Sequence, residues 1–461
     1  MKKVNKTILY NISSTILLQG ISFFTIPIFT RVLGTEQYGF FSVFNSWVLI
    51  LTCIMGGGVG SALGTGRYKF EDHYYFFRSS IFLLGVCISG GIIGFMILLN
   101  HTFLPLFGYT LPLFILLLFT ALGHFVVNFS QMVFIYEKRA DLNFVLSVTL
   151  SGATVILSLI LIFYSQADMK YMGRIIGIAT PYMIAAILLF FCLFFKNPTG
   201  LHKEYCTYAL LMGLPIVFHS LSQNILSQAN RVMMQNMQIS NTDIGIYSLF
   251  YSFTAVLSTI LNALNNSWCP FYYDDLHSQN WGVLKDKCRN YIELFSVLTA
   301  GFLLVSREFT YFLANQEYWS GIPMIPILVL AVYFTFMYQF PVNFEFFHRK
   351  THIIALGTCV AAVTNIILNL LLIPKFGMYG ASIATVISYG LLFAAHYIIV
   401  TYVYDIQYHL KISVFFPGLM SVFIAILLFY LISDLWVLRW GMGILLGIYE
   451  ILKIKRRKSI F

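Results

Sequence analysis

Tyr38-Gly-Phe-Phe-Ser-Val-Phe-Asn-Ser-Trp47 and Ile244-Gly-Ile-Tyr-Ser-Leu-Phe-Tyr-Ser-Phe253 repeat one pattern. Gly, Ser, Phe and Ser coincide at an offset of 206 residues, and several mismatches exchange one aromatic ring for another. A second echo, Met172-Gly173 in Tyr379-Gly380, falls at an offset of 207. Two matches at nearly the same offset read as an internal repeat, so the chain is expected to build two bundles of like design.

What surrounds these segments says that the solvent for most of the chain is lipid. Of 461 residues, 59% are hydrophobic and 10% charged, against roughly 25% charged in a soluble domain. A span needs about 20 mostly apolar residues to cross the hydrocarbon. That window predicts fourteen: 8–30, 39–62, 79–99, 111–135, 143–165, 172–195, 207–230, 243–267, 290–306, 322–347, 352–373, 378–403, 412–432 and 438–453. The span 290–306 is the least apolar, and 272–289 reads as the longest loop. The basic start before span one resembles a signal peptide, but the apolar run continues too long and no small-residue cleavage site follows it, so it is read as a retained helix.

The net charge of +10 does not point to nucleic acid, because the basic residues sit in short connections between apolar segments. With the N-terminus inside, the outer connections hold only Arg31, Lys170, Arg174, Arg231, Arg307, Lys375 and Arg439 of the 28 Lys and Arg residues. The excess inside, repeated connection after connection, places both ends in the cytoplasm. The seven cysteines show neither CxxC nor metal-ligand spacing, so no disulfide framework, metal or cofactor is expected.

The fold class is therefore all-α and integral to the membrane, with about fourteen transmembrane helices. Helices 1–6 form an N-lobe over 1–206 and helices 7–12 a C-lobe over 207–405. An even number of helices per lobe relates the lobes by a parallel pseudo-two-fold. Residues 406–461 add helices 13 and 14 and a basic cytoplasmic tail.

Polar side chains are unevenly placed. Span one carries Asn11, Thr15, Gln19, Ser22 and Thr25 at helical steps of three and four. Span two carries Ser42, Asn45 and Ser46; span seven carries Gln223, Asn224, Ser227, Gln228 and Asn230; span eight carries Ser248, Ser252, Asn262 and Asn265. Whole polar faces on repeat-related helices suit a hydrated cleft; helix–helix hydrogen bonding is the alternative. Arg31 and Arg231 end spans one and seven, and Arg174 opens span six. Guanidinium forks bind phosphate oxygens in pairs and stay charged in dry sites; snorkelling to the interface is the alternative for Arg31 and Arg231. The candidate substrate-binding residues are thus Arg31, Arg231, Arg174, Gln19, Asn45, Gln223, Asn224 and Asn262. Candidates for ion coupling are Glu345, Asp243 and His219. Each has a plainer reading: an ion pair of Glu345 with Arg349, a helix-start role for Asp243, and a helix contact for His219, singled out as the imidazole well inside a span.

Phe24-Thr-Ile-Pro-Ile-Phe-Thr-Arg-Val-Leu-Gly-Thr-Glu-Gln-Tyr-Gly39 resembles the first-helix signature of bacterial polysaccharide transporters. Gly213-Leu-Pro215 and Asp243-Ile-Gly-Ile-Tyr247 resemble their seventh- and eighth-helix signatures, and Asn369 to Ala381 the hairpin between helices eleven and twelve. The chain thereby resembles the Wzx-type oligosaccharide flippases of the multidrug/oligosaccharidyl-lipid/polysaccharide exporter superfamily. The resemblance implies a MATE-like fold, alternating access, and a substrate of undecaprenyl-pyrophosphate-linked oligosaccharide, flipped across the bacterial cytoplasmic membrane for O-antigen, capsule or exopolysaccharide. It maps the family's cationic cavity residues onto Arg31 and Arg231. Membrane lipids, a polysaccharide polymerase and chain-length machinery are the implied partners. A multidrug exporter of the same fold is the competing reading; it would favour acidic residues in the cavity, where this chain has arginine and amides. A membrane polymerase or ligase fits less well, because the outer connections are short and hold no His/Glu/Asp cluster suited to acid–base work. The chain is read as a transporter and not an enzyme.

Overall fold

The computed structural model describes residues 24–195, 197–403 and 410–456 in full, and the backbone of 2–23 and of 457 as helix. Gln19 therefore lies outside the residues whose side chains are described. Among the described residues every regular element is helical: α1 (Lys2–Ile54), α2 (Leu63–Lys69), α3 (Tyr74–Leu98), α4 (Asn100–Phe107), α5 (Leu111–Tyr136), α6 (Ala140–Tyr164), α7 (Lys170–Phe194), α8 (Lys203–Asn236), α9 (Asn241–His277), α10 (Trp281–Leu313), α11 (Ile325–Phe347), α12 (Thr351–Ile398), α13 (Phe416–Leu431) and α14 (Trp436–Arg457). Nine described segments are long and apolar enough to cross a membrane. The protein is a multi-pass membrane protein.

Two of the helices hold two spans each. α1 breaks at Gly34 (φ 67°, ψ 179°) and α12 at Gly377 (φ 53°, ψ −130°), backbone angles that only glycine adopts at little cost. Helices one and two share α1, helices eleven and twelve share α12, and α10, α13 and α14 complete fourteen. The second half of α1 continues into a tight turn region, Met55–Ala62, before α2.

One expectation needs correcting. The stretch 272–289 is not a long loop: α9 runs on to His277 and α10 begins at Trp281. The two helices extend past the apolar windows because their ends pack on each other. Tyr272 and Tyr291 are fully buried, the Trp268 ring lies 5.1 Å from that of Tyr291, and Lys287 Nζ stands 2.8 Å from Asp275 Oδ2. Hydropathy alone misses a helix that keeps its pattern after its polarity rises.

The chain forms two compact units, Met1–Gly245 and Ile246–Phe461. In the first, α1 packs against α5, α6, α7 and α8, and α3 and α8 close on the 55–62 turn. Arg78 of α3 is buried, with an ion pair of 2.7 Å to Glu137 at the end of α5. In the second, α11 packs along α12, and α10 carries both α13 and α14. α14 lies antiparallel to α10, held at one end by Arg439 with Glu308 and at the other by Lys453 with Glu293. α13 buries one stripe, Gly418, Val422, Ala425 and Phe429, and exposes the rest, as expected for an apolar lipid-facing helix.

The repeat glycines occupy matching places. Gly173, on α7, sits where an added Cβ would lie 2.8 Å from the Ile162 nitrogen of α6; Gly380, its mate at offset 207, sits 2.3 Å from the Leu372 oxygen in the same sense. Each lets the second arm of a hairpin close on the first. The first pair of glycines meets directly. Within the first unit a Cβ on Gly39 would stand 1.8 Å from the Asn241 carbonyl oxygen, and one on Gly245 would stand 2.0 Å from that of Thr35. Thr35 with Asn241 and Gly39 with Gly245 are each 206 apart, so the contact is reciprocal, as in an isologous interface.

Candidate substrate-binding site

The candidate site is built on α1, α7 and α8. The second half of α1 begins at the Gly34 break and presents Ser42, Asn45 and Ser46 within one and a half turns. Ser42 and Ser46 are buried and Asn45 is half-buried. Ser42 donates to its own helix, at 2.7 Å from Tyr38 O. Ser46 also reaches across: its hydroxyl lies 3.1 Å from Gln228 Oε1 on α8. The same Gln228 oxygen accepts from Arg231 Nη1 at 2.9 Å, and that nitrogen also lies 3.2 Å from Ser227 O. Ser46, Gln228 and Arg231 thus form one hydrogen-bonded chain between two helices. Arg231 is 5% exposed, so its guanidinium does not snorkel into water. A buried cation dressed with amide and carbonyl oxygens keeps its charge available to an anion that displaces them.

Arg174, on α7, lies on the other flank of α1. Its guanidinium stacks 3.6 Å above the Phe29 ring and 5.1 Å from that of Phe41, and Nη1 donates to Ser158 Oγ at 2.9 Å. Two aromatic faces in place of carboxylates hold the charge without neutralising it. The α6–α7 turn is tied to the break in α1 by Gln37, which donates to Ala167 O at 2.7 Å and accepts from Tyr171 N–H at 2.9 Å.

Among the expected residues, Arg231, Gln223 and Asn224 lie on α8, and Asn45 on the half of α1 that Ser46 joins to α8 through Gln228. Gln223 and Asn224 are half-buried, and Asn224 donates to Ser220 O at 3.0 Å. Arg31 is exposed. Asn262 belongs to α9 in the second unit and is exposed; its neighbour Asn265 accepts from Asn343 at 2.9 Å.

The ion-coupling candidates separate. Asp243 lies in the first turn of α9, whose start Ser240 caps by accepting from Asp243 N–H at 3.1 Å, in line with the helix-start reading. His219 is half-buried and its Nδ1 makes no hydrogen bond. Glu345 does not pair with Arg349. α11 ends at Phe347, and Arg349 takes a left-handed turn (φ 59°), so the i, i+4 helical geometry does not exist there. Glu345 instead pairs with His396 at 2.7 Å, both fully buried. Singling out His219 overlooked two imidazoles inside helices: His396, and His124 of α5, stacked 3.6 Å from the Tyr182 ring. Sequence reasoning also passed over Gln228 as the hub of the α1–α8 bond chain; its one signal was its place on the polar face of span seven.

The family described as polysaccharide biosynthesis protein matches residues 4–272. A protein of the Lsg locus of Haemophilus influenzae is 25% identical over 272 residues, 56% of this chain and 62% of that protein, so the chain spans less than two thirds of that relative. An uncharacterized membrane protein of the same organism is 22% identical over 346 residues, covering 72% of this chain and 81% of that one. Among solved structures, the lipid II flippase MurJ in an inward closed conformation superposes with a TM-score of 0.71 at 16% identity, covering 98% of this chain and 99% of that one. An inward-facing multidrug resistance MATE family transporter of the MOP superfamily gives 0.60 at 15% identity, covering 91% and 95%. At these identities the likeness is one of fold, and the fold is MATE-like.

Proposed function

The chain is a member of the polysaccharide biosynthesis protein family, and from that premise we propose that it flips undecaprenyl-pyrophosphate-linked oligosaccharide repeat units across the bacterial cytoplasmic membrane. The units would feed O-antigen, capsule or exopolysaccharide assembly, with a polymerase and chain-length machinery acting on the far side. Both chain ends would face the cytoplasm. The carrying observation is Arg231, a buried guanidinium on a helix face of amides and hydroxyls. A pyrophosphate can take the place of the Gln228 and Ser227 oxygens with two parallel charge-assisted bonds. Arg31 and Arg174 are assigned to the same anionic headgroup, and Gln19, Asn45, Gln223 and Asn224 to sugar hydroxyls. The MurJ protein of like fold is a lipid II flippase, which supports flipping of a lipid-borne substrate. The lipid tail stays in the bilayer while the headgroup crosses.

The test is export. A strain lacking the chromosomal copy should lose surface polymer and accumulate lipid-linked repeat units. Wild-type protein should restore polymer, whereas Arg31→Ala/Arg231→Ala, present at equal membrane abundance, should not. Normal export by the double variant would remove the arginines from the mechanism. A changed drug-resistance profile with unchanged polymer would favour the multidrug reading.

A further inference from the structure

We propose that Glu345 and His396 form a proton-binding pair that ties the packing of α11 on the second half of α12 to the proton gradient. Both side chains are fully buried, and His396 Nδ1 lies 2.7 Å from Glu345 Oε2. The remaining ring nitrogen, Nε2, and the remaining carboxyl oxygen, Oε1, have no hydrogen-bond partner. Nε2 points at the first half of α12, where Gly357 leaves room for it: a Cβ there would stand 2.2 Å from Nε2. Tyr338, two turns earlier on α11, sets its ring edge-on to the imidazole at 5.1 Å. The titratable group facing the pair is Tyr338 from α11, whose hydroxyl is bonded to Thr358 and which in turn neighbours Tyr389 of the second half of α12. Arg349 and Lys350 follow α11 beyond its end.

A buried polar pair generally has most of its atoms matched. This one has two atoms left over, and they are the places a proton can go. One proton lies in the Nδ1···Oε2 bond. With that proton alone the pair carries one negative charge, and Nε2 presents a bare lone pair. A second proton, on Nε2 or Oε1, makes the pair neutral but leaves a donor unmatched. A net charge is costly inside a membrane protein, and an unmatched buried donor is costly too, so neither state is fully satisfied. Such a balance suits a switch: a small change in hydration or field decides the proton count, and the count biases the helix packing. Glu345 lies two residues before the end of α11, whereas the helix carrying His396 runs on beyond Ile398 to Val403. The proton site stands on its own geometry; its coupling to transport rests on the flippase reading.

The test compares purified wild-type protein with Glu345→Gln, His396→Gln and the double variant Glu345→Met/His396→Leu. The double variant replaces the pair by apolar groups of similar size, which cores accept. Proton uptake is read with a pH indicator as the solution is acidified, and polymer export is read in cells with and without an uncoupler. Wild type should take up one proton per chain more than the double variant, and its export should fall when the gradient is dissipated. The double variant should accumulate normally, export about tenfold less, and ignore the uncoupler. Equal proton uptake in wild type and double variant would overturn the proposal. So would wild-type export with wild-type uncoupler sensitivity, or a double variant that fails to accumulate, since each makes the pair a structural fastening. Proton uptake needs no sugar substrate, so a flippase reading that failed in the deletion strain would leave the proton count standing.

Discussion

At Gly39 a methyl group would meet the carbonyl oxygen of Asn241 at 1.8 Å, and backbone cannot step aside as a flexible side chain can. Gly39→Ala should therefore force α1 and the start of α9 apart and destabilise the protein by about 1–3 kcal/mol. Thermal unfolding of the detergent-solubilised protein would show it as a lowered midpoint; Gly282→Ala, a site where nothing lies within 4 Å, should show none. The place of this glycine in the repeat was legible in the sequence; the close approach it permits was not. Glu345 was not. Its partner is 51 residues away on another helix, while Arg349 stands at the helical spacing that sequence reasoning trusts. Arg231 was legible as a charge but not as a buried one: counting charges by connection places an arginine at the interface, and only the Gln228–Ser46 bond chain shows it packed against α1. Arg231→Lys should keep the charge and lose the planar fork, leaving export well below wild type but above Arg231→Ala; equal export by Lys and wild type would mean that charge alone suffices.

At the scale of elements, α8 is the helix on which the transport reading depends. Near its start Cys206 Sγ lies 3.9 Å from Ser80 Oγ on α3, Tyr208 donates to Thr65 Oγ1 at 2.8 Å, and farther along Ser46 meets Gln228. If alternating access requires α8 to part from α3, Ser80→Cys in a background whose other cysteines are replaced should form a disulfide with Cys206 under oxidation. Export should stop on oxidation and return on reduction. Export unaffected by a formed disulfide would mean that α8 and α3 move as one. Helix existence was largely legible, since apolar windows mark most spans. Where the windows fell short, the reason is physical. α10 carries Glu293 and Glu308, which lower its hydropathy, yet both are paired, with Lys453 and Arg439 of α14. Their cost inside the membrane is met by partners 160 and 131 residues away, and no window can see that.

At the scale of the molecule, the repeat offset pairs Gly173 with Gly380, each of which sits against the preceding arm of a hairpin in its own unit. The charge bias of the connections predicts both ends in the cytoplasm, and reporter tags at residue 1 and residue 461 should both be protected in intact spheroplasts. The central claim is translocation of a phosphate-bearing sugar lipid, and reconstitution tests it most directly. Purified protein is placed in vesicles holding undecaprenyl-pyrophosphate oligosaccharide in both leaflets, and an impermeant reagent is added that destroys only sugars of the outer leaflet. Vesicles with wild-type protein should lose nearly all the sugar lipid, while empty vesicles and those with Arg31→Ala/Arg231→Ala should lose only the outer half. Retention of the inner half by wild-type vesicles, with and without a proton gradient, would contradict the account.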